Sequence, residues 1–303
     1  MQTPTIARSA RRRLAAFALI LLSAAAAPPA LAQDADALRA KHATLVDKLA
    51  DNPFHRPLFL ESTQSSGDLR GDVYAVVTQP FGVVEPALQT MSHWCDLLIL
   101  HLNVKNCSSA GKPPAEVLSL VVGRKFDQPL DDGYKIEFRY GVPAATDDYL
   151  RVQMAADAGP IGTSNYRLML EAVPLDATSS FVHMSYAYSY GVAARLATQT
   201  YLSTVGRDKV GFSITGTGDG GKPIFINGVR GVLERNTMRY YLAIEAYLDA
   251  LAAPPAERLD KRLHDWFAAT ERYATQLHEM SSDEYLAMKH NEVKRQQSGA
   301  KTD

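Results

Sequence analysis

The sequence predicts an α+β fold, a run of antiparallel strands set between helical regions, with a long amphipathic helix near the C-terminus. Three observations carry that reading. Residues 101–106, 117–124, 133–141, 148–155, 165–174 and 179–190 read as strands, with Gly, Pro, Asp or Asn clusters between most of them. Two of these alternate cleanly. Tyr134, Ile136, Phe138 and Tyr140 face one side and Lys135, Glu137 and Arg139 the other, while Tyr166, Leu168 and Leu170 oppose Arg167, Met169 and Glu171. That pattern marks an antiparallel sheet with one covered face and one wet face. Over 231–252, Tyr240, Ile244, Tyr247 and Leu251 recur at helical spacing, and Tyr241 and Leu248 widen the apolar stripe.

The first 32 residues differ in kind from the rest. They carry four arginines (Arg8, Arg11, Arg12 and Arg13) and no acid. An apolar run from Leu14 to Ala27 follows, and Ala30-Leu31-Ala32 supplies small residues where a signal peptidase reads. This three-part order predicts a secretory signal peptide over 1–32, cleaved before Gln33. The run is shorter than a membrane span needs, and Pro28-Pro29 ends it. No later segment is long and apolar enough to span a bilayer. The mature protein is therefore expected to be soluble, and periplasmic or secreted. The whole chain has a formal charge of −1, but without the leader 28 Lys and Arg face 33 Asp and Glu, a charge of −5. That balance argues against nucleic acid as a partner and gives no electrostatic hold on anionic membranes. At 303 residues with 46% apolar content, the chain has material for a substantial core.

Along the mature chain, 34–51 reads as an amphipathic helix with Leu38, Leu45 and Leu49 on one side, ended by Asn52-Pro53. Strands follow at 57–63 and 69–78, then a helical stretch from Val83 to Leu98 that contains Pro86. After the strand region, helical character returns at about 191–204. A hairpin is expected from Val210–Thr215, a glycine turn and Pro223–Asn227. Beyond Pro254-Pro255 a second helix places Leu259, Leu263, Trp266, Phe267, Tyr273 and Leu277 on one face. Ser281-Ser282-Asp283-Glu284 is a capping box for a last, polar helix, and the tail from Gln296 is expected to be disordered.

Cys95 and Cys107 are the only cysteines. In an oxidising compartment they predict a disulfide, worth about 3 kcal/mol for so short a loop; two buried free thiols are the alternative. Their spacing does not suit a metal site, and no metal or cofactor is expected. Gly216-Thr217-Gly218-Asp219-Gly220-Gly221-Lys222-Pro223 formally matches phosphate-loop patterns, but Pro223 stands where Ser or Thr would hold magnesium and a strand follows instead of a helix. It reads as a hairpin turn. No G-x-S-x-G or H-E-x-x-H motif is present. The histidines are scattered, with His93 and His101 flanking the cysteine region and His183 in a strand, and they predict no catalytic residue. Arg235 and Arg239 share a helix face beside Glu234 and the tyrosines. They could clamp the polar head of an apolar ligand, or form a surface ion-pair patch.

The order helix, two strands, helix, six strands, long helix resembles the START-like (SRPBCC, helix-grip) superfamily. The likeness is carried by Gly71-Asp72-Val73-Tyr74-Ala75-Val76-Val77 running into Pro80-Phe81 and Val83-Val84, by Trp94 and Lys105-Asn106-Cys107, and by the 231–252 helix. It spans roughly residues 53–253. It implies a curved antiparallel sheet wrapped around the long C-terminal helix and enclosing an apolar tunnel, with 33–253 as the ligand-binding domain and 254–303 as a helical extension and tail. The expected partner is a lipid or other hydrophobic small molecule, with Tyr134, Phe138, Tyr140, Tyr186, Tyr188, Tyr241 and Leu248 as tunnel walls and Arg235 and Arg239 at its polar end. The same tyrosines would also serve as ordinary core. Two further readings remain: an envelope protein docking on the C-terminal helices, or an enzyme acting on a hydrophobic substrate in the same cavity.

Overall fold

The computed structural model describes residues 30–192, 194–196, 200 and 209–299, the side chains of 30–33 and 299 excepted. The leader lies outside them apart from its last three residues, as does most of the helix expected over 191–204. Helix α1 (Ala30–Ala50) leads into β1 (Leu58–Gln64) and β2 (Asp68–Val77). Two helices follow, α2 (Phe81–Leu88) and α3 (Met91–Leu98). Six strands come next: β3 (Val104–Ala110), β4 (Glu116–Val122), β5 (Tyr134–Thr146), β6 (Tyr149–Ala158), β7 (Thr163–Pro174) and β8 (Ser180–Tyr190). The short hairpin β9 (Ile214–Thr217) and β10 (Pro223–Phe225) precedes the long α4 (Gly228–Ala250). The chain closes with α5 (Arg258–Glu271), α6 (Ala274–Leu277) and α7 (Ser282–Gly299).

The eight strands β1 to β8 form one antiparallel sheet in the order β1-β2-β8-β7-β6-β5-β4-β3. Since β2 pairs with β8, the α2–α3 crossover carries the chain from one side of the sheet to its far edge. Register shifts in β3 between Val104 and Asn106, in β5 between Gly141 and Ala144, and in β7 between Ser164 and Arg167 bend the sheet, because each extra residue adds local twist and coil. Helix α4 lies in the resulting concavity, which is the helix-grip arrangement. Its contact with β2 is tight: a Cβ on Gly71 would sit 2.4 Å from Thr237 Oγ1, so only glycine fits.

The two faces of the sheet are buried differently. The concave face and α4 share the main core, which runs on through Leu263, Trp266, Tyr285, Met288 and Val293 of the C-terminal helices. On the convex face, Ala35, Leu38, Leu45 and Leu49 of α1 cover Tyr74, Tyr149, Val173 and Phe181. The residues after Pro254 thus complete the same core as the sheet. Among the described residues no helix is long and apolar enough to cross a membrane.

Several sequence expectations need correction. The helix expected over 83–98 is two helices, separated at Thr90, whose backbone is extended; this turn lets both Val84 and Trp94 reach the core. The strand expected at 101–106 begins only at Val104, because His101 N–H bonds to Leu98 O and Val104 N–H to His101 O in tight turns. The tail expected to be disordered from Gln296 is helical to Gly299, and Gln296 Oε1 accepts the Cys107 backbone N–H at 2.8 Å on the sheet edge. The last helix is not polar all round: Tyr285, Met288, Lys289, Glu292 and Val293 are buried. Its capping box does form, with Ser281 N–H donating to Glu284 at 2.9 Å. Cys95 and Cys107 are joined as a disulfide that ties α3 to β3.

Candidate functional site

Helix α4 fills only part of the concavity. Against β1 and β2 it packs directly, but over β4 to β7 a cavity of about 520 Å³ remains. Alternation along the strands builds its wall. Leu120 and Val122 come from β4, Tyr134, Ile136 and Phe138 from β5, Met154 from β6, Tyr166 and Leu168 from β7, and Tyr186 from β8. The register places Leu120 opposite Ile136, Met154 opposite Leu168, and Leu168 opposite Tyr186. Asn236 and Tyr240 face them from α4, and Leu98, His101 and Asn103 close the end beside α3. Volume and lining suit one small apolar molecule held by a few polar groups.

The cavity meets an open groove of about 1130 Å³ between the 124–127 loop and α7. Asn103, Arg124 and Ile161 line both spaces. Three of the exposed large hydrophobic residues of the protein gather at this mouth: Phe126, Tyr134 and Ile161, each about half exposed. Ile161 adopts φ 55° and ψ 38°, a left-handed conformation that β-branched residues rarely enter. It is held there between Pro160 and Gly162, the latter also at positive φ. It is thus a strained, half-exposed apolar residue at the cavity mouth. Glu279 organises the groove floor, accepting Lys125 at 2.5 Å and Arg239 at 2.8 Å. Burial and the neighbouring Arg239 push the Lys125 ammonium down to about 8.

The residues expected at the site divide. Tyr134, Phe138 and Tyr186 line the cavity. Tyr140 is turned under α2, where its hydroxyl donates to Gln89 O at 2.8 Å. Tyr188 stacks on Tyr166 but borders a separate shallow cleft with Arg70 and Asn165. Tyr241 donates to Glu245 on the far side of α4, and Leu248 is buried beside Arg56 and Pro57. Arg235 and Arg239 are not a surface patch. Both are buried, Arg235 donating to Val210 O and Arg239 to Leu277 O and Glu279, so they anchor the chain on either side of α4. Sequence reasoning missed His101, Asn236, Tyr240, Tyr166, Leu168 and Met154 as wall residues. The alternation already placed Tyr166 and Leu168 on one face, and Tyr240 belonged to the apolar stripe of α4. His101 and Asn236 had no local signal.

The convex face holds the histidine–carboxylate cluster. His183 Nε2 meets Asp72 at 2.8 Å and Nδ1 meets Glu171 at 3.0 Å. Burial alone would lower the His183 pKa, but the hydrogen bonds to Asp72 and Glu171 outweigh it and raise it above the ordinary value. Tyr74 stacks on the ring at 4.2 Å. This cluster lies beneath α1, not in the cavity. Among the described residues no group of three His, Cys, Asp or Glu side chains could hold a metal ion.

No protein-family model matches the chain, and no curated protein matches it in sequence. Among solved structures it is similar to a truncated norcoclaurine synthase from Thalictrum flavum, at 16% identity and TM-score 0.32, over 48% of this chain and 90% of that one. It is also similar to a START superfamily protein from Mycobacterium smegmatis, at 12% identity and TM-score 0.31, over 47% and 93%. A conserved protein from Geobacillus kaustophilus matches at 12% identity and TM-score 0.31, over 46% and 85%. Likenesses this distant carry no argument about activity. The helix-grip arrangement is established by the chain's own strand order and by the seat of α4 in the concavity.

Proposed function

We propose that this protein binds a hydrophobic small molecule, a lipid being one such class, in the cavity between the sheet and α4. The observation that carries the reading is the aromatic, largely apolar chamber of about 520 Å³ opening onto a groove rimmed by Phe126, Tyr134 and Ile161. A chain of this size would ordinarily fill such a space, since interiors pack as densely as organic crystals. The groove provides a path by which a molecule could enter without unfolding the sheet. Extraction of the purified protein followed by mass spectrometry should yield a bound apolar compound, and the emptied protein should bind the neutral dye 1-aminoanthracene. Leu168→Trp, which fills the chamber, should abolish dye binding. An empty protein that also ignores the dye would remove this reading.

The site is further proposed to work outside the cytoplasm. The basic and apolar leader and the Cys95–Cys107 pair support export. N-terminal sequencing of protein recovered from the periplasm or medium should begin at Gln33. Recovery only from the cytoplasm with the leader intact would refute it.

A further inference from the structure

Where the chamber meets the groove, cations gather that the carboxylates there do not balance. Glu279 takes three of them: Lys125 at 2.5 Å, Arg239 at 2.8 Å and, more loosely, Lys209 at 3.5 Å. Burial, and after it Arg239, push the Lys125 ammonium down to about 8 in spite of its bond to Glu279. Arg235, also on α4, adds to that effect. One carboxylate therefore leaves an excess of positive charge around Lys125. What the groove shows of the pair is the cation, because the Lys125 side chain is 27% exposed and that of Glu279 only 9%. Arg124, one residue earlier, is exposed and lines both spaces. Its guanidinium lies over the Phe126 ring, 5.7 Å from the centroid, and forms no ion pair among the described residues.

The other acids of the groove and chamber do not cancel this excess. Asp127 is paired with Arg295 at 2.8 Å. Glu284 accepts from Ser281 at the start of α7, where the helix dipole offsets a negative charge. Asp132 remains, a single exposed carboxylate on the chamber wall. Against Arg124, Lys125, Lys209 and Arg239 there stand, in all, Glu279 and Asp132. The chamber that Arg124 borders is otherwise walled by such side chains as Leu120, Ile136, Phe138, Met154 and Leu168. A positive rim on an apolar chamber is complementary to a molecule whose tail leaves water while its anionic head stays at the surface.

We propose that the protein takes apolar anions, single-chain acids above all, with the tail in the chamber and the head at Arg124 and Lys125. This rests on the cavity being a ligand site and adds the charge of the ligand. The test uses decanoate and decanol, which share a chain length and differ in the charge of the head, as competitors for 1-aminoanthracene on the purified protein. At low salt decanoate should bind more tightly than decanol by about tenfold, the sum of two partly solvated charge contacts. High salt should shrink that advantage. Arg124→Leu and Lys125→Leu should each remove part of it and the double variant all of it, while Arg124→Lys, which keeps the charge, should retain most. Acetate at the same concentration, a head without a tail, should leave the displacement by decanoate unchanged.

Equal displacement by the two probes in the native protein overturns the proposal while leaving the ligand site intact. So does an advantage of decanoate that survives the double variant, and so does competition by acetate, which would make the rim a site for bare ions. If the dye binds and neither probe displaces it, the proposal falls alone. If the dye itself does not bind, the ligand site is lost and the proposal with it. Should the double variant not fold, Arg124→Leu decides, since it changes an exposed side chain without an ion pair. An advantage untouched both by that change and by salt overturns the assignment.

Discussion

Two buried histidines show how differently the two faces of the sheet are built. His183, on the convex face, has a carboxylate on each ring nitrogen, and those carboxylates are held in turn by Arg70, Arg151 and Tyr149. His101, on the concave side, accepts the Asn103 backbone N–H on Nδ1 and has only the neutral side chain of Asn236 beside it to favour its charged form. Burial is nearly equal, 5% exposure against 2%, so depth does not explain the contrast. A fully paired cluster under α1 serves stability, because every buried charge there has its partner. His101 has no carboxylate beside it, and burial holds its pKa well below the ordinary value.

The comparison can be broken by removing charge partners, and the largest effect is expected where pairing is most complete. Lys105, Lys289 and Glu292 are all fully buried, with Glu292 between the two ammonium groups at 2.8 and 2.7 Å. Lys289 also donates to His101 O and Val104 O, which fixes the loop behind the cavity. Glu292→Leu should cost about 3–5 kcal/mol, read as a lower urea midpoint, because it strands two buried cations. A loss under about 1 kcal/mol would mean that water already reaches this group.

His183→Phe should come next, at about 3 kcal/mol, since two hydrogen bonds to charged groups disappear. Its pH signature separates it from a packing defect. A histidine whose pKa is raised on folding contributes stability that is fully present below the ordinary value near 6.5 and declines as pH rises through the folded pKa. Asp72 and Glu171 are held below the usual carboxylate range despite their burial, chiefly by His183, so their contribution is lost on the acid side. Native protein should therefore lose stability as pH climbs above about 6.5, and the variant should show a flatter curve there. Parallel curves would assign the cluster no electrostatic role.

How much of this was legible in sequence follows from how local each signal is. The alternation of Tyr134, Ile136 and Phe138 and the spacing of Tyr240 and Ile244 are period-two and period-3.6 patterns, and both elements formed where expected. The wrapped sheet also followed from the order of elements. The choice of Tyr241 in place of Tyr240 as a wall residue is an error of one position, about 100° around the helix, which no sequence pattern resolves without knowing the packing angle. The buried pairs Lys105–Glu292 and Arg239–Glu279 join residues far apart in the chain, so composition alone reads such residues as surface. His101 was hidden for a further reason: the chain there resembles a strand but winds as tight turns, which changes the direction of every side chain in it.

A smaller effect is expected at the mouth. Ile161→Asn places at φ 55° a residue that tolerates the left-handed region, and should stabilise the protein by about 1–2 kcal/mol. The same change removes an apolar lip residue, so dye uptake should slow in stopped-flow mixing while the chamber keeps its volume. Stabilisation with unchanged uptake would leave Ile161 as strain without a role in entry.

The smallest stability change is expected at His101, and it decides the comparison. His101→Phe removes the acceptor for Asn103 N–H, a loss of about 1 kcal/mol, but the ring it replaces is neutral and pairs with no carboxylate, so no buried charge is stranded. The stack on Tyr240 can survive in the phenyl ring. Net change in the ligand-free protein should therefore stay within about 1 kcal/mol, against about three times that for the same substitution at His183. If the two variants lose equal stability, then charge pairing is not what separates the two histidines, and the convex cluster owes its stability to packing.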